Sequence, residues 1–570
     1  MCRKMGTVMH IEKAEFGKYC VAKVKLDSTS IEKLSSLPGY KKWVGRDLLF
    51  DPTSANISRI QKYWPDATWS DEAKPILEKY VDLLIEAENT RSAKVEVLPT
   101  NDDFKFKTKP FDHQRKAFYM SRDKEAFGLL MEQGTGKTKV IIDNAAYLYA
   151  NNKINALVVI APNGVHRNWL SKELPVHMPD WCPYESIYYK SGQNTIKKHK
   201  EKFDAVIGAE NCLKVFSFNV EAFVSSVAVF YMMKILSSHN VMLVVDESSR
   251  IKKPGAKRTK MITKFSKNAK YRRILTGTPV TKGPEEFKFL DPNILGYDSF
   301  YSFRARYCVM GGFDNREIVS YQNIDELTKN IEGHSFRVLK KDCLDLPKKI
   351  YQRYAIKLTS DQQKIYKDLQ KEYIAELEGK TVSAPEAITR FLRLQQITCN
   401  WFPTEDGIQM INADNPRLSA LISILGEIQS KVIIWARFKA DIRAIGQALG
   451  ESAVSYYGDI PTDERETAVD RFQNDPKIKY FIGQPQSGGI GLTLTAADYA
   501  IYYSNSFDLE TRLQSEDRCH RIGTTKNVTY IDIEAKGTID SKIIEALRDK
   551  KNLADAITKD PRSVFLNNGE

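Results

Sequence analysis

The chain has eight cysteines in 570 residues and no C-x-x-C pair among them. Cys2, Cys20, Cys182, Cys212, Cys308, Cys343, Cys399 and Cys519 are scattered, which argues against a zinc site or a disulfide framework and suits a reducing compartment. No apolar core follows the charged residues Met1 to Gly6, so no secretory signal is expected. The longest apolar run, Ala222 to Met233, is shorter than the roughly 20 residues a bilayer span needs and reads as a buried helix of a large core. Low-complexity tracts and short repeats are missing too. The expectation is a soluble, intracellular protein of the cytoplasm or nucleoid, or of the nucleus in a eukaryote. A content of 42% hydrophobic and 11% aromatic residues supports a folded chain, too long for a single core. Acidic residues are the scarcer charge, 72 against 85 basic, and the net +13 favours a polyanionic partner.

The pattern along the chain is α/β. Val8–Glu15 and Tyr19–Leu26 read as a hairpin, Trp43–Phe50 as a further strand, and Asp51 to Ser54 as the opening of a helix. Asp71–Glu88 has helical spacing, with Ile76, Tyr80, Leu83 and Leu84 on one face. A polar linker, Thr100–Lys109, leads into apolar runs at Ala156–Ala161, Ala205–Gly208 and Met242–Val245, the form of buried parallel strands with helical crossovers. A charged, more helical stretch follows from about Glu285 to Asp414. A second α/β series then has strands near Val432–Trp435, Tyr480–Gly483, Tyr499–Tyr503 and Thr529–Ile533.

Three motifs carry chemistry. Met131–Thr138 (M-E-Q-G-T-G-K-T) is a P-loop with Met where the full pattern has its first glycine. Gly134, Thr135 and Gly136 let backbone N–H groups face phosphate oxygens, Lys137 neutralises β/γ-phosphate charge, and Thr138 offers a hydroxyl to Mg²⁺. Leu243–Glu247 (L-V-V-D-E) is an apolar strand ending in two carboxylates, Asp246 for Mg²⁺ and Glu247 as general base for the attacking water. Gln514–Gly523 (Q-S-E-D-R-C-H-R-I-G) sets Arg518 and Arg521 three apart, on one face if helical, to stabilise charge spreading over a γ-phosphoryl group. The alternative for these arginines is a surface pair bridged to Glu516 and Asp517.

With those residues in order, the chain resembles a superfamily 2 helicase-like ATPase of the Swi/Snf branch over about residues 108 to 550. Phe111-Asp-His-Gln114 resembles the family's opening motif, implying that Gln114 reads adenine. Asp246-Glu247-Ser-Ser-Arg250-Ile-Lys252 and Leu275-Thr-Gly-Thr-Pro279 are similar to its metal-carboxylate and coupling motifs, and Gln514 opens its arginine-finger motif. Ser249 stands where the family usually has His, so the link from the carboxylates to the coupling motif is expected to be wired differently. Gln133 and Thr135 are also unusual in the loop. The resemblance implies two RecA-like lobes, parallel sheets flanked by helices, with ATP and Mg²⁺ in the cleft and DNA as partner. The expected domains are a small α+β module at 1–100, lobe one at 108–290, a helical insertion at 291–414 and lobe two at 415–570. Gly39-Tyr-Lys-Lys-Trp43 through Phe50-Asp-Pro resembles the substrate-recognition module that precedes the motor in annealing-helicase relatives.

Between Arg250 and Arg273 lie eleven basic residues and no acidic one, a strip able to neutralise phosphates or to be a solvated helix face. Candidate DNA contacts are Asn163, His166 and Trp169 in lobe one, and Arg437, Ser487, Gly488, Gly489 and Thr493 in lobe two. The leading expectation is an ATP-dependent DNA translocase. An RNA-stimulated ATPase and a non-catalytic DNA-binding scaffold with a decayed ATPase fold stay open.

Overall fold

A computed structural model describes residues 9–14, 20–23, 27–35, 37, 41–50, 52, 54–78, 81, 103–190, 197–251, 255–277, 300–311, 317–379, 384–404, 407–488 and 492–549. The chain divides into two units, Met1–Cys343 and Leu344–Glu570.

In the first unit seven parallel strands run in the order Ser335–Val338, Ala126–Met131, Tyr271–Leu275, Val241–Asp246, Ala156–Ala161, Leu213–Asn219 and Tyr184–Tyr188. The central strands are buried along their whole length, which is why they read as unbroken apolar runs rather than alternating ones. Ala205–Gly208 is a correction. Its first three residues end the helix Lys197–Ile207, where Phe203, Val206 and Ile207 share the buried face, and the strand is Leu213–Asn219 instead. The helix expected within Ala222–Met233 begins at Ser226, capped by Ser225, and is amphipathic rather than buried throughout, with Phe230 exposed. The expected linker is anchored over its described part. Phe104 packs against Phe106, Phe118, Tyr147 and Trp181, and Lys107 pairs with Asp180.

Near the N-terminus a five-stranded sheet holds the expected hairpin, His10–Lys13 with Cys20–Lys23, and a second one, Lys41–Val44 with Asp47–Phe50. The helix Ser54–Tyr63 closes one side of this sheet's apolar core. Of the helix expected at 71–88, residues 74–78 are helical and most of the remainder lies outside the described residues.

The second unit has six parallel strands in the order Lys349–Ile356, Val528–Ala535, Ala497–Tyr502, Lys431–Trp435, Tyr480–Gly483 and Ala453–Tyr456. The expected helical insertion at 291–414 is not one body. Ser335–Val338 takes the edge of the first sheet, whereas Lys349–Ile356 takes the edge of the second. The helices Ser360–Gly379 and Ala384–Thr398 join the second unit's core through Tyr366, Phe391 and Leu394.

A buried arginine holds that addition in place. Arg417, 1% exposed, donates to the carbonyls of Thr398 (3.1 Å), Tyr503 (2.6 Å) and Ile533 (2.9 Å) and pairs with Asp540. Arg417→Ala removes the cation beside a buried carboxylate and a donor from three carbonyls, and is expected to cost about 3–5 kcal/mol in urea unfolding of this unit. A loss below about 1 kcal/mol would show that the network does not hold the helices.

Candidate nucleotide site and arginine segment

The strand Ala126–Met131 ends in a loop that turns twice through left-handed backbone, at Gly134 (φ 75°) and Gly136 (φ 86°), before the helix Lys137–Ala150. Only glycine takes such angles without cost. Space closes the second position further, because a Cβ on Gly136 would stand 2.1 Å from Gln114 Nε2. Thr135 ties the loop to itself, its hydroxyl donating to the Glu132 carbonyl at 2.7 Å. Gln114 Nε2 (3.0 Å) and His113 Nε2 (2.8 Å) both reach the Thr135 carbonyl, so the opening motif braces the loop from behind. The Lys137 ammonium donates to the carbonyls of Met131 (2.9 Å) and Glu132 (3.4 Å), folded across the loop's own mouth. Thr138 is half-buried in the helix's first turn. Glu132, which the sequence reading passed over, accepts from the Lys340 backbone N–H at 2.7 Å and so fastens the segment after the edge strand to the loop.

Two strands away, Val241–Asp246 delivers its carboxylates at the same sheet end. Burial pushes the Asp246 carboxyl above the usual carboxylate range, a rise that the Trp169 indole N–H and the charge of Lys137 offset only in part. Trp169 Nε1 donates to Asp246 Oδ2 at 2.9 Å, and the Glu247 N–H donates to Oδ1 at 3.0 Å. Glu247 sits at φ 50°, where a residue with a side chain is uncommon, and its Oε1 accepts from Gln133 Nε2 at 3.2 Å. A buried carboxylate and a nearby hydroxyl are hard oxygen donors of the kind Mg²⁺ takes. Among the described residues no three His, Cys, Asp or Glu are placed to hold a metal, so a cation at Asp246 and Thr138 would draw the rest of its shell from water and phosphate. Of the coupling motif, Thr276 N donates to the Leu129 carbonyl at 3.2 Å, whereas Thr278 and Pro279 lie outside the described residues.

The candidate nucleic-acid contacts separate. Asn163 is exposed just past the strand Ala156–Ala161. Trp169 is a correction: it is 1% exposed, on a wide π-turn at Trp169–Glu173, with its N–H committed to Asp246. His166 is another, since burial lowers its pKa to about 4 and leaves no positive charge for a phosphate. The basic strip loses Arg273, fully buried with its guanidinium donating to Asn144 Oδ1 and to the carbonyls of Ser121, Lys124, Glu125 and Arg272. Lys257, Lys260, Lys264 and Lys267 remain exposed in and just after the helix Lys257–Ser266, spaced to share one face, and Lys252 and Lys253 lie outside the described residues.

In the second unit the helix Leu509–Glu516 ends before the two arginines, so Arg518 and Arg521 do not share a helical face as expected. They converge otherwise, both donating to the Leu492 carbonyl, at 3.1 and 3.3 Å, with Arg521 also on Thr493 Oγ1 at 2.9 Å. Gln514 supports them through its backbone carbonyl, which accepts from Arg518 Nε at 3.0 Å, while its side-chain amide donates to Glu510. Glu516 pairs with Arg512 and Lys349, and Asp517 with Lys349, the partners that the surface-pair alternative assigned to Arg518 and Arg521. Arg512, missed in the sequence, lies 3.4 Å from the Tyr502 ring centre and also bonds Asp532. Arg437 lies over the Phe507 ring and donates to Gln395 Oε1, its pKa lowered by burial to about 10. Ser487 and Gly488 are in the short helical turn Pro485–Gly488, Thr493 is exposed, and Gly489 lies outside the described residues.

A glycine-turned loop, its lysine and two strand-end carboxylates on a parallel sheet define a P-loop nucleotide-binding protein, here with a second α/β unit. The SNF2-related domain matches residues 111–402 and the helicase conserved C-terminal domain matches 416–523. The chain belongs to the SNF2-related family, the Swi/Snf branch of the superfamily 2 helicase-like ATPases. It is 26% identical over 458 residues to the DNA annealing helicase and endonuclease ZRANB3 of Bos taurus, covering 77% of this chain and 39% of that protein. It is 25% identical over 482 residues to the CHD3-type chromatin-remodeling factor PICKLE of Arabidopsis thaliana (77% and 33%). An uncharacterized ATP-dependent helicase, MG018, of Mycoplasma genitalium is 26% identical over 445 residues (76% and 40%). The chain thus spans a third to two fifths of these relatives' length. Among solved structures, the Sulfolobus solfataricus SWI2/SNF2 ATPase core in complex with dsDNA matches at 22% identity and TM-score 0.36, covering 82% of this chain and 97% of that one.

Gly136→Ala is expected to weaken binding of a fluorescent ATP analogue at least about tenfold, since the methyl must displace Gln114 and strain the loop. Urea unfolding run alongside separates this from loss of the fold. Undiminished affinity would mean that the loop relaxes around the methyl.

Proposed function

We propose that this chain is an ATP-dependent DNA translocase, hydrolysing ATP to ADP and phosphate while tracking the backbone of duplex or branched DNA. The observation that carries the proposal is the meeting of Lys137, Asp246 and Glu247 at one end of one sheet, with Asp246 buried and in the field of Lys137. Lys137 holds β/γ-phosphate charge, the Gly134–Gly136 backbone cradles the phosphates and Gln114 lies beside the loop for the base. Asp246 and Thr138 hold Mg²⁺, which supplies charge neutralisation on the transferred phosphoryl group. Glu247 takes the proton of the attacking water, and Arg518 and Arg521 stabilise the charge that develops.

For the polymer, the exposed lysine face at Lys257, Lys260, Lys264 and Lys267 suits sequence-independent phosphate contact. Asn163, Arg437, Ser487 to Gly489 and Thr493 are the proposed backbone contacts, with His166 and Trp169 supporting their segment from beneath. Two of the matched relatives are named for annealing DNA or remodelling chromatin, which favours DNA over RNA. Residues 1–100 are proposed to recognise the DNA substrate.

An ATPase assay across duplex, forked and single-stranded DNA and RNA tests this reading, which predicts stronger stimulation by duplex or forked DNA than by RNA. Lys137→Ala and Glu247→Gln are each expected to lower turnover at least about 100-fold with the fold intact. Wild-type turnover in either variant would remove these assignments. Replacing both Lys260 and Lys264 by Ala is expected to reduce the log–log salt slope of DNA binding by about 2. An unchanged slope would take this face out of the DNA interface.

A further inference from the structure

Three motifs that lie far apart along the chain meet at one side chain, Gln133. Its Nε2 donates to Glu247 Oε1 at 3.2 Å. A Cβ on Gly277 would stand 2.9 Å from the Gln133 Cγ, closer than real Cβ atoms come, and 3.0 Å from the Gln133 backbone N. Gly277 follows Thr276, whose N–H is pinned to the Leu129 carbonyl on the P-loop strand. The segment therefore enters against Gln133 along a fixed line. The Gln133 Oε1 atom is buried with no hydrogen-bond partner, so packing and a single bond to Glu247 hold the amide.

We propose that Gln133 is a positioning residue that couples the aim of Glu247 to the position of the Gly277 segment. The space beside Gly277 is too small for a methyl group, so a shift of Gly277 toward the loop by that much would move the Gln133 side chain. The amide then carries the Glu247 carboxylate with it. A retreat of Gly277 frees the amide to turn and release Oε1. This inference rests on the reading of the chain as a nucleic-acid-stimulated ATPase.

Gln133→Met tests it, since methionine keeps the length and volume and removes both amide atoms. The stimulated-to-basal ratio of kcat is expected to fall at least about fivefold, with KM for ATP and fluorescent-nucleotide affinity within about twofold of wild type. Gly277→Ala is expected to lower the ratio as well, and to add nothing further in the Gln133→Met background. Should the wild type show no stimulation by any nucleic acid, the translocase reading fails first. Should the wild type be stimulated and Gln133→Met equally so, or should the variant lose basal and stimulated kcat in the same proportion, the coupling role is overturned. A KM rising in step with lost kcat would make Gln133 a nucleotide contact and overturn it likewise.

Discussion

The first unit is arranged around the cost of burying one carboxylate. Asp246 is 7% exposed, and an ionised group so placed is destabilising by several kcal/mol unless partners are built around it. Those partners are the N–H of the next residue, Glu247, and groups from two other segments, the Trp169 indole and the nearby Lys137 ammonium. One charge thereby fixes the position of a π-turn, a strand end and a phosphate loop relative to each other.

The second unit meets the same constraint with the opposite balance. Three of its buried acids are paired with arginines, Glu516 and Asp532 with Arg512, and Asp540 with Arg417. Arg518 and Arg521 both donate to the Leu492 carbonyl, Arg518 also to the Gln514 carbonyl and Arg521 to the Thr493 hydroxyl.

Much of this was legible along the chain, and the failures have physical causes. Buried parallel strands such as Ala156–Ala161 announce themselves because both faces are apolar. Leu213–Asn219 does not, since Lys214, Ser217 and Asn219 break the run while still buried. Edge strands were lost for a related reason. Lys349–Ile356 is exposed along most of its length and reads as charged helix until its partner Val528–Ala535 is known. Arg273 was counted as surface charge because composition cannot show that five acceptors surround it. Trp169 and Gln133 were noticed as an aromatic and an oddity, but their partners, Asp246 and Glu247, are more than 70 residues away.

The sequence alone determined the chemistry: which loop turns through glycine, which strand ends in carboxylates, which lysine and arginines accompany them, and in what order. Those are local facts, carried by residue types whose backbone freedom or charge has few substitutes. Only the tertiary structure decided which polar groups spend their hydrogen bonds on each other. A donor finds its acceptor by distance in space, and chain separation says nothing about that distance until the sheet has closed.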